Sequence, residues 1–386
     1  MLNYGGHSID RKDISAVVEV LHSNFLTQGP HVSNFEEKIC RRVHSNYATA
    51  FNSATSALIA ACNALGVKEN CIVWTSAISF VASSNCAVIC NATVDFLDIS
   101  LDTFNIDLDA LDRKLKVAKD ENKLPHLIIV VHFAGTPCDL TRLAELKSIY
   151  GFKIIEDASH ALGATHRGNP IGSCSCSEIT VFSFHPVKMI TTGEGGVCTT
   201  NSESIDCSLK EYRSHGITKD KKLFCNVPNN EIWNYQQHSI GQNYRMSDIS
   251  AALGISQLDK LDKFVQKRNK ASEFYENRLK KIQCKVQKID PEALSSRHLF
   301  VVCLQFEKYG ISQKIFFKRM WNNGINLNIH YIPIYKQPYY QKLGFDYKYC
   351  PNADNYFKMT FSLPLYPQIS RADQLKVLKG IENSLG

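Results

Sequence analysis

The constraint that most limits this chain is an alternation. Across the first two-thirds of its 386 residues, short β-rich runs at 72–74, 93–97, 127–133, 152–155, 179–184 and 197–200 are separated by helical patterns such as the one at 140–150. Strands interleaved with helices predict crossover units, hence an α/β fold with a mainly parallel sheet covered on both faces. The order of the strands is not readable from it. The helices carry end signals of their own. Asp10 is placed to cap a helix with apolar positions at Ile14, Val17, Val18 and Leu21. Ser33-Asn34-Phe35-Glu36 has the form of a capping box opening a second helix, and a third, over 53–65, stops at Gly66 in a manner that suits a left-handed C-cap. From Met246 a long helical pattern runs past Lys281. Beyond it come strands at 299–306 and 325–329, a helix ending near Gly324 between them, and a terminal helix from about Ala372. The chain reads as a large α/β domain over residues 1–260 and a smaller C-terminal α+β domain over 261–386.

Charge and composition narrow the partners. Lysine and arginine number 44 against 37 acidic residues, a net charge of +7 that is mixed along the chain, so nucleic-acid binding is not indicated. The aliphatic run Leu127–Val131 is far below the roughly 20 residues that cross a bilayer. The first residues carry neither a basic nor an apolar region of the kind a signal peptide needs. Fourteen cysteines are scattered without a C-x-x-C, most of them beside apolar residues, as reduced buried thiols would be. The expectation is a cytoplasmic protein that handles small molecules, with no metal and no membrane partner.

Ligands of open α/β sheets sit outside the C-terminal ends of the strands, and three segments there carry chemistry. In Ile154-Ile155-Glu156-Asp157-Ala158-Ser159-His160 a strand ends in two carboxylates with a histidine three residues on. Asp157 serves either as a helix cap or as a buried partner for a cationic ring nitrogen. In Phe182-Ser183-Phe184-His185-Pro186-Val187-Lys188, followed by Thr191-Thr192-Gly193-Glu194-Gly195-Gly196, a strand gives way to a lysine and a glycine-rich turn. A lysine directed inward is costly unless paired or covalently used, and a desolvated amine suits imine chemistry. In Asn52-Ser53-Ala54-Thr55-Ser56 a helix start offers free N–H groups and hydroxyls, an anion site or a simple cap. Together the three describe a pyridoxal phosphate (PLP) site, with Phe80 as the ring's stacking partner.

The motifs N-S-A-T-S-A-L, E-D-A-S-H-A-L-G, S-F-H-P-V-K-x-I-T-T-G-E-G-G, R-S-H-G at 213–216 and G-Q-N-Y-R-M-S-D-I-S-A-A-L-G at 241–254 resemble those of the DegT/DnrJ/EryC1 family of sugar aminotransferases. Residues 26–30 and 362–365 extend the resemblance over nearly the whole chain. It implies the aspartate-aminotransferase type of fold (fold type I) and homodimers with sites at the subunit interface. Residues 78–82, 183–185, 238–245 and 330–335 look most like the branch that aminates C4 of a UDP-linked 4-keto-6-deoxy-N-acetylhexosamine, with glutamate as donor, on the way to pseudaminic acid.

The resemblance also implies roles. Lys188 would tether the cofactor and shuttle the proton, Asp157 would pair with the pyridine nitrogen, and His160 would lie near the ring hydroxyl. Phe80 would stack on the ring. Thr55 and Ser183 would bind the phosphate, helped by the backbone at Ala54 and by Asn243 of the other subunit. Lysine at 188 argues for transamination, since relatives with histidine there dehydrate sugars. For the sugar nucleotide the candidates are His215, Arg245, Tyr331 and Tyr335. The rival readings are another nucleotide-sugar aminotransferase, a silent binding protein of the same fold, and a nicotinamide oxidoreductase, for which no strand is followed by G-x-G-x-x-G.

Overall fold

The computed structural model describes residues 1–225 and 231–386. Its centre is a seven-stranded sheet built from β1 (Tyr47–Phe51), β2 (Ile72–Ser76), β3 (Thr93–Leu97), β4 (Leu127–Val131), β5 (Lys153–Asp157), β6 (Ile179–Ser183) and β7 (Gly196–Thr200). Their spatial order is β1-β7-β6-β5-β4-β2-β3. Strands β2 to β6 pair in parallel, and β7 lies antiparallel between β1 and β6. Because side chains alternate along a strand, β4 feeds both layers: Ile128 and Val130 join the core on one face, Leu127 and Ile129 the core on the other. That double burial is why Leu-Ile-Ile-Val-Val shows no polar alternation.

The expected helices are present, with one start displaced. Asp10 caps Arg11–Leu21 in a capping box with Asp13. Ser53 caps Ala54–Ala64, and Gly66 sits at φ +77° just past its end. The second helix, however, is Pro30–Val43, so Ser33 lies inside it and caps nothing. Its start is closed instead by a distant side chain: Asp248 accepts from Gly29 N at 2.8 Å and from His31 N at 2.9 Å. Glu36, the other half of the supposed box, accepts from Ala50 N and from Arg213. β1 is an additional strand that the sequence pattern did not mark.

The long helical stretch is two helices, Asp248–Leu258 and Leu261–Leu279. The second contributes Leu261, Phe264 and Val265 to the core beside the large sheet, and Ala271, Tyr275 and Leu279 to a separate C-terminal core. That C-terminal unit holds an antiparallel sheet of Cys284–Val286, Phe300–Leu304 and Thr360–Leu363, with helices Gln313–Asn322 and Arg371–Leu385 against it. Ile325–Asn326 is a strand of only two residues and pairs in parallel with Leu2–Asn3, which draws the chain start to this unit. All fourteen cysteines are free. Among the described residues no helix is long and apolar enough to cross a membrane.

Candidate active site

The C-terminal ends of β4, β5 and β6 open into a cavity of about 420 Å³ to which Val131, Asp157 and Ser183 contribute. The C-terminal unit supplies the opposite wall through His298, Asn328, His330 and Tyr331.

Consecutive carboxylates at the end of β5 point to opposite faces and take opposite roles. Glu156 is buried on the far side, where it meets His132 Nε2 at 2.7 Å, Ser177 Oγ at 2.5 Å and Thr180 Oγ1 at 3.1 Å. Burial pushes its carboxyl up, but these partners outweigh it and hold it below the usual range. Asp157 faces the cavity. Its Oδ2 accepts from Ser83 Oγ at 2.6 Å, and its Oδ1 from Ser159 Oγ at 2.6 Å and Ser159 N at 3.1 Å. Among the described residues it has no ion-pair partner, although it is only 5% exposed. A buried carboxylate held by neutral donors alone has room for a cation.

Lys188 lies half-buried on the cavity wall, its backbone N bonded to His185 O in the turn after β6. Among the described residues its Nζ makes no hydrogen bond or ion pair. Burial draws the amine down to about 8, against the opposing pull of Asp157. An amine of that kind is a nucleophile and base near neutral pH.

The phosphate end is equally legible. Ser53 caps the Ala54–Ala64 helix by accepting from Ser56 N at 3.1 Å, and the first backbone bond of the turn is Ala57 N to Ser53 O. The N–H groups of Ala54 and Thr55 therefore have no intrahelical acceptor and face an anion's place. A side chain at Gly196 would put its Cβ 2.5 Å from Ala54 N, so only glycine lets β7 seat this helix start. Ser183 comes from the neighbouring β6, opposite Gly196 in register. Phe80 is 58% exposed and lines the cavity with a free face. These groups fit PLP: an unpartnered amine, a carboxylate without a cation, an aromatic face and an anion cup share one cavity. Among the described residues no cluster of His, Cys, Asp or Glu could hold a metal ion.

His160 is buried against the cavity and both of its ring nitrogens are used. Nδ1 accepts from Ala134 N at 3.3 Å, and Nε2 lies 3.2 Å from the Tyr331 hydroxyl. Burial, then the charges of Lys188 and His330, keep its pKa well below 6.5. His298 packs on it with ring centroids 4.3 Å apart. Burial and the Lys188 charge pull His330 down to about 3.

The remaining candidates separate. Tyr331 lines the cavity, but Tyr335 does not. A single turn, 334–336, points it into the core, where it is fully buried and its hydroxyl meets Asp354 Oδ1 at 2.6 Å and Cys350 O at 3.1 Å. It holds the fold and meets no sugar. Asn243, Arg245 and His215 lie outside the cavity wall of their own chain, with Asn243 and His215 exposed. Sequence reasoning missed Ser83, Ser159, His298 and His330. Ser159 stands inside E-D-A-S-H and His330 opens H-Y-I-P-I-Y, so a signal existed for those two, whereas nothing around Ser83 or His298 marks them.

Comparison with known proteins agrees with this geometry. The profile of the DegT/DnrJ/EryC1/StrS aminotransferase family matches residues 7–382. The chain is 37% identical over 374 residues to the UDP-4-amino-4,6-dideoxy-N-acetyl-beta-L-altrosamine transaminase of Campylobacter jejuni, covering 97% of this chain and 94% of that one. It is 32% identical to the Helicobacter pylori protein of the same name, over 95% and 93% of the two. The solved structure of Helicobacter pylori PseC, an aminotransferase involved in the biosynthesis of pseudoaminic acid, superposes with a TM-score of 0.90 at 29% identity, covering 100% of this chain and 99% of that one. The PLP form of a Streptococcus pneumoniae sugar aminotransferase gives 0.86 at 26% identity, covering 99% and 98%.

Proposed function

The chain belongs to the DegT/DnrJ/EryC1/StrS aminotransferase family, and from that premise we propose that it is a PLP-dependent transaminase moving the amino group of L-glutamate to C4 of a UDP-linked 4-keto-6-deoxy-N-acetylhexosamine. Transaminase activity and the cofactor follow from the family. The sugar rests on the similarity to proteins that bear the altrosamine transaminase name over nearly their whole length. The observation that carries the chemistry is the pairing of Lys188 and Asp157 across one cavity, each lacking the partner its burial demands.

When bound, the cofactor supplies an electron sink that makes the donor's α-proton removable. Asp157 would pair with the pyridine nitrogen, and Ser83 and Ser159 hold it aimed by donating to both its oxygens. Lys188 would hold the cofactor, and its amine, drawn down by burial, would be the group to take and return the donor's α-proton. Ala54 N, Thr55 and Ser183 anchor the phosphate, and Phe80 covers one ring face. Among the described residues no arginine lines the cavity, so anionic ends of glutamate and diphosphate need cations from elsewhere. In a homodimer, Arg245 would supply one across the interface, with Asn243 beside it as a neutral donor.

Two measurements test this reading. Lys188→Ala abolishes the yellow absorbance of the purified protein; a surviving band means another lysine holds the cofactor. A panel of UDP-, GDP- and dTDP-linked 4-keto-sugars with glutamate, read by mass and NMR, yields a 4-amino product from the UDP-N-acetylhexosamine; amination of another sugar alone moves the substrate within the family.

A further inference from the structure

The hydrogen-bond chain behind Tyr331 has a direction. The backbone N–H of Ala134 only donates, so its contact with His160 Nδ1 makes that nitrogen an acceptor without a proton. His160 is kept neutral by its burial and by the Lys188 charge, so its one proton sits on Nε2. That nitrogen lies 3.2 Å from the Tyr331 hydroxyl and donates to it. The phenol's own proton is then left over. Among the described residues no acceptor takes it, and Tyr331 lines the cavity shared with Lys188.

The ring that carries this hydroxyl is held in place. Phe80, Phe133, His160 and His330 surround it with centroid separations of 6.2, 6.3, 6.2 and 4.9 Å. His298, whose carbonyl accepts from the buried Arg268 at 3.0 Å, packs against His160 with the two rings tilted by 36°. Burial raises the phenol's pKa, so the proton stays on. A fixed donor aimed at a place where charge develops needs no reorganisation during reaction.

From this geometry we propose that Tyr331 is the hydrogen-bond donor to an oxygen bound beside Lys188, and that His160 is its positioning residue, acting through Nε2. The proposal rests on the transaminase reading. The acceptor is either the ring oxygen of the cofactor or the oxygen at the reacting carbon of the keto-sugar. Both are oxygen acceptors next to the amine, and the experiment separates them.

Tyr331→Phe keeps the ring and removes only the donor. In the holoenzyme, a shifted visible band, with a changed pH titration of that band, identifies the cofactor oxygen as the acceptor. An unchanged band with the keto-sugar half-reaction slowed about 10²-fold, while the glutamate half-reaction holds, identifies the sugar. Either result supports the assignment. Unchanged band, titration and both half-reactions overturn it. The positioning role has its own readout. His160→Gln keeps a donor at the ε position and retains most of the wild-type spectrum and rate. His160→Asn loses that donor and falls toward Tyr331→Phe, and the double variant Tyr331→Phe/His160→Asn loses little more than either alone. Equal behaviour of the Gln and Asn variants, or fully additive losses, overturns the coupling, and this pair decides the matter if Tyr331→Phe fails to fold. Wild-type protein that shows no yellow band and no glutamate half-reaction instead defeats the transaminase reading itself.

Discussion

At the residue scale, the cavity works by withholding partners. Asp157 receives three hydrogen bonds from neutral donors and, among the described residues, Lys188 none through its amine, so each retains an unmet electrostatic demand that a cofactor held as proposed would satisfy. The depressed pKa of Lys188 has a measurable consequence. An amine captures an aldehyde only when unprotonated. Below about 8 the capture rate of PLP by the cofactor-free protein rises roughly tenfold per pH unit, and above about 8 it levels off. A lysine with an ordinary value near 10.4 keeps climbing past pH 9. Stopped-flow appearance of the visible band from pH 6.5 to 10 distinguishes the two, and a rate still rising at pH 9.5 refutes the depressed amine. Motif residues at strand ends were the legible part of this site. That Lys188, Asp157 and Phe80 would share one cavity was legible from the sequence because each follows a β-rich run, where position relative to the sheet is fixed by alternation. Tyr335 misled because H-Y-I-P-I-Y offers two tyrosines four residues apart, and only the turn at 334–336 decides which one enters the core.

At the element scale, the site depends on how one helix start is seated. The Ala54–Ala64 helix can present its N–H groups to the cavity, where the proposal places the phosphate, only because β7 passes close to it at Gly196. Gly196→Ala forces the two backbones apart, costing about 1–3 kcal/mol by overpacking. The expected result is weaker PLP binding by equilibrium dialysis as well as a lower melting temperature; unaltered PLP affinity shows that the seating is dispensable. The Pro30–Val43 helix illustrates a different dependence. Its free N–H groups are satisfied by Asp248, 217 residues from His31. Asp248→Ala removes the acceptor and costs on the order of 1–2 kcal/mol in urea unfolding, while Ser33→Ala, at the supposed cap, leaves the midpoint unchanged. A long-range cap leaves no local signature, which explains why the Ser-x-x-Glu pattern was misleading. β1 escaped for a related reason: Tyr-Ala-Thr-Ala-Phe is short and interrupts its strand formers with two alanines, and its strand state is completed by pairing with β7 across about 150 residues of chain.

At the scale of the whole molecule, strand order decides what the cavity contains. Placing β6 and β5 side by side sets Ser183 and Lys188 next to Asp157, and the antiparallel β7 brings the helix start over them. Interleaved strands implied a parallel sheet but not this order, since crossover units do not say which neighbour each strand chooses. Among the described residues no arginine lines the cavity, while several apolar side chains stand exposed near Arg245, which could provide a cation. Ile232, Trp233, Tyr235 and Ile240 are 92, 72, 55 and 78% exposed, just before Asn243 and Arg245. Exposed large apolar side chains close together in sequence suit an interface, and a two-fold dimer would present the same segment from both sides. If that dimer completes each cavity with the partner's Asn243, mixing two inactive variants restores activity. In a dimer of one Lys188→Ala chain and one Asn243→Ala chain, one cavity carries both lesions and the other carries neither. Random reassociation makes half the dimers mixed, with one of two sites intact, so the pool recovers about a quarter of wild-type turnover. Unfolding and refolding the two variants together, then assaying glutamate-dependent amination against each alone, gives the measurement. Recovery near zero places Asn243 outside the partner's cavity.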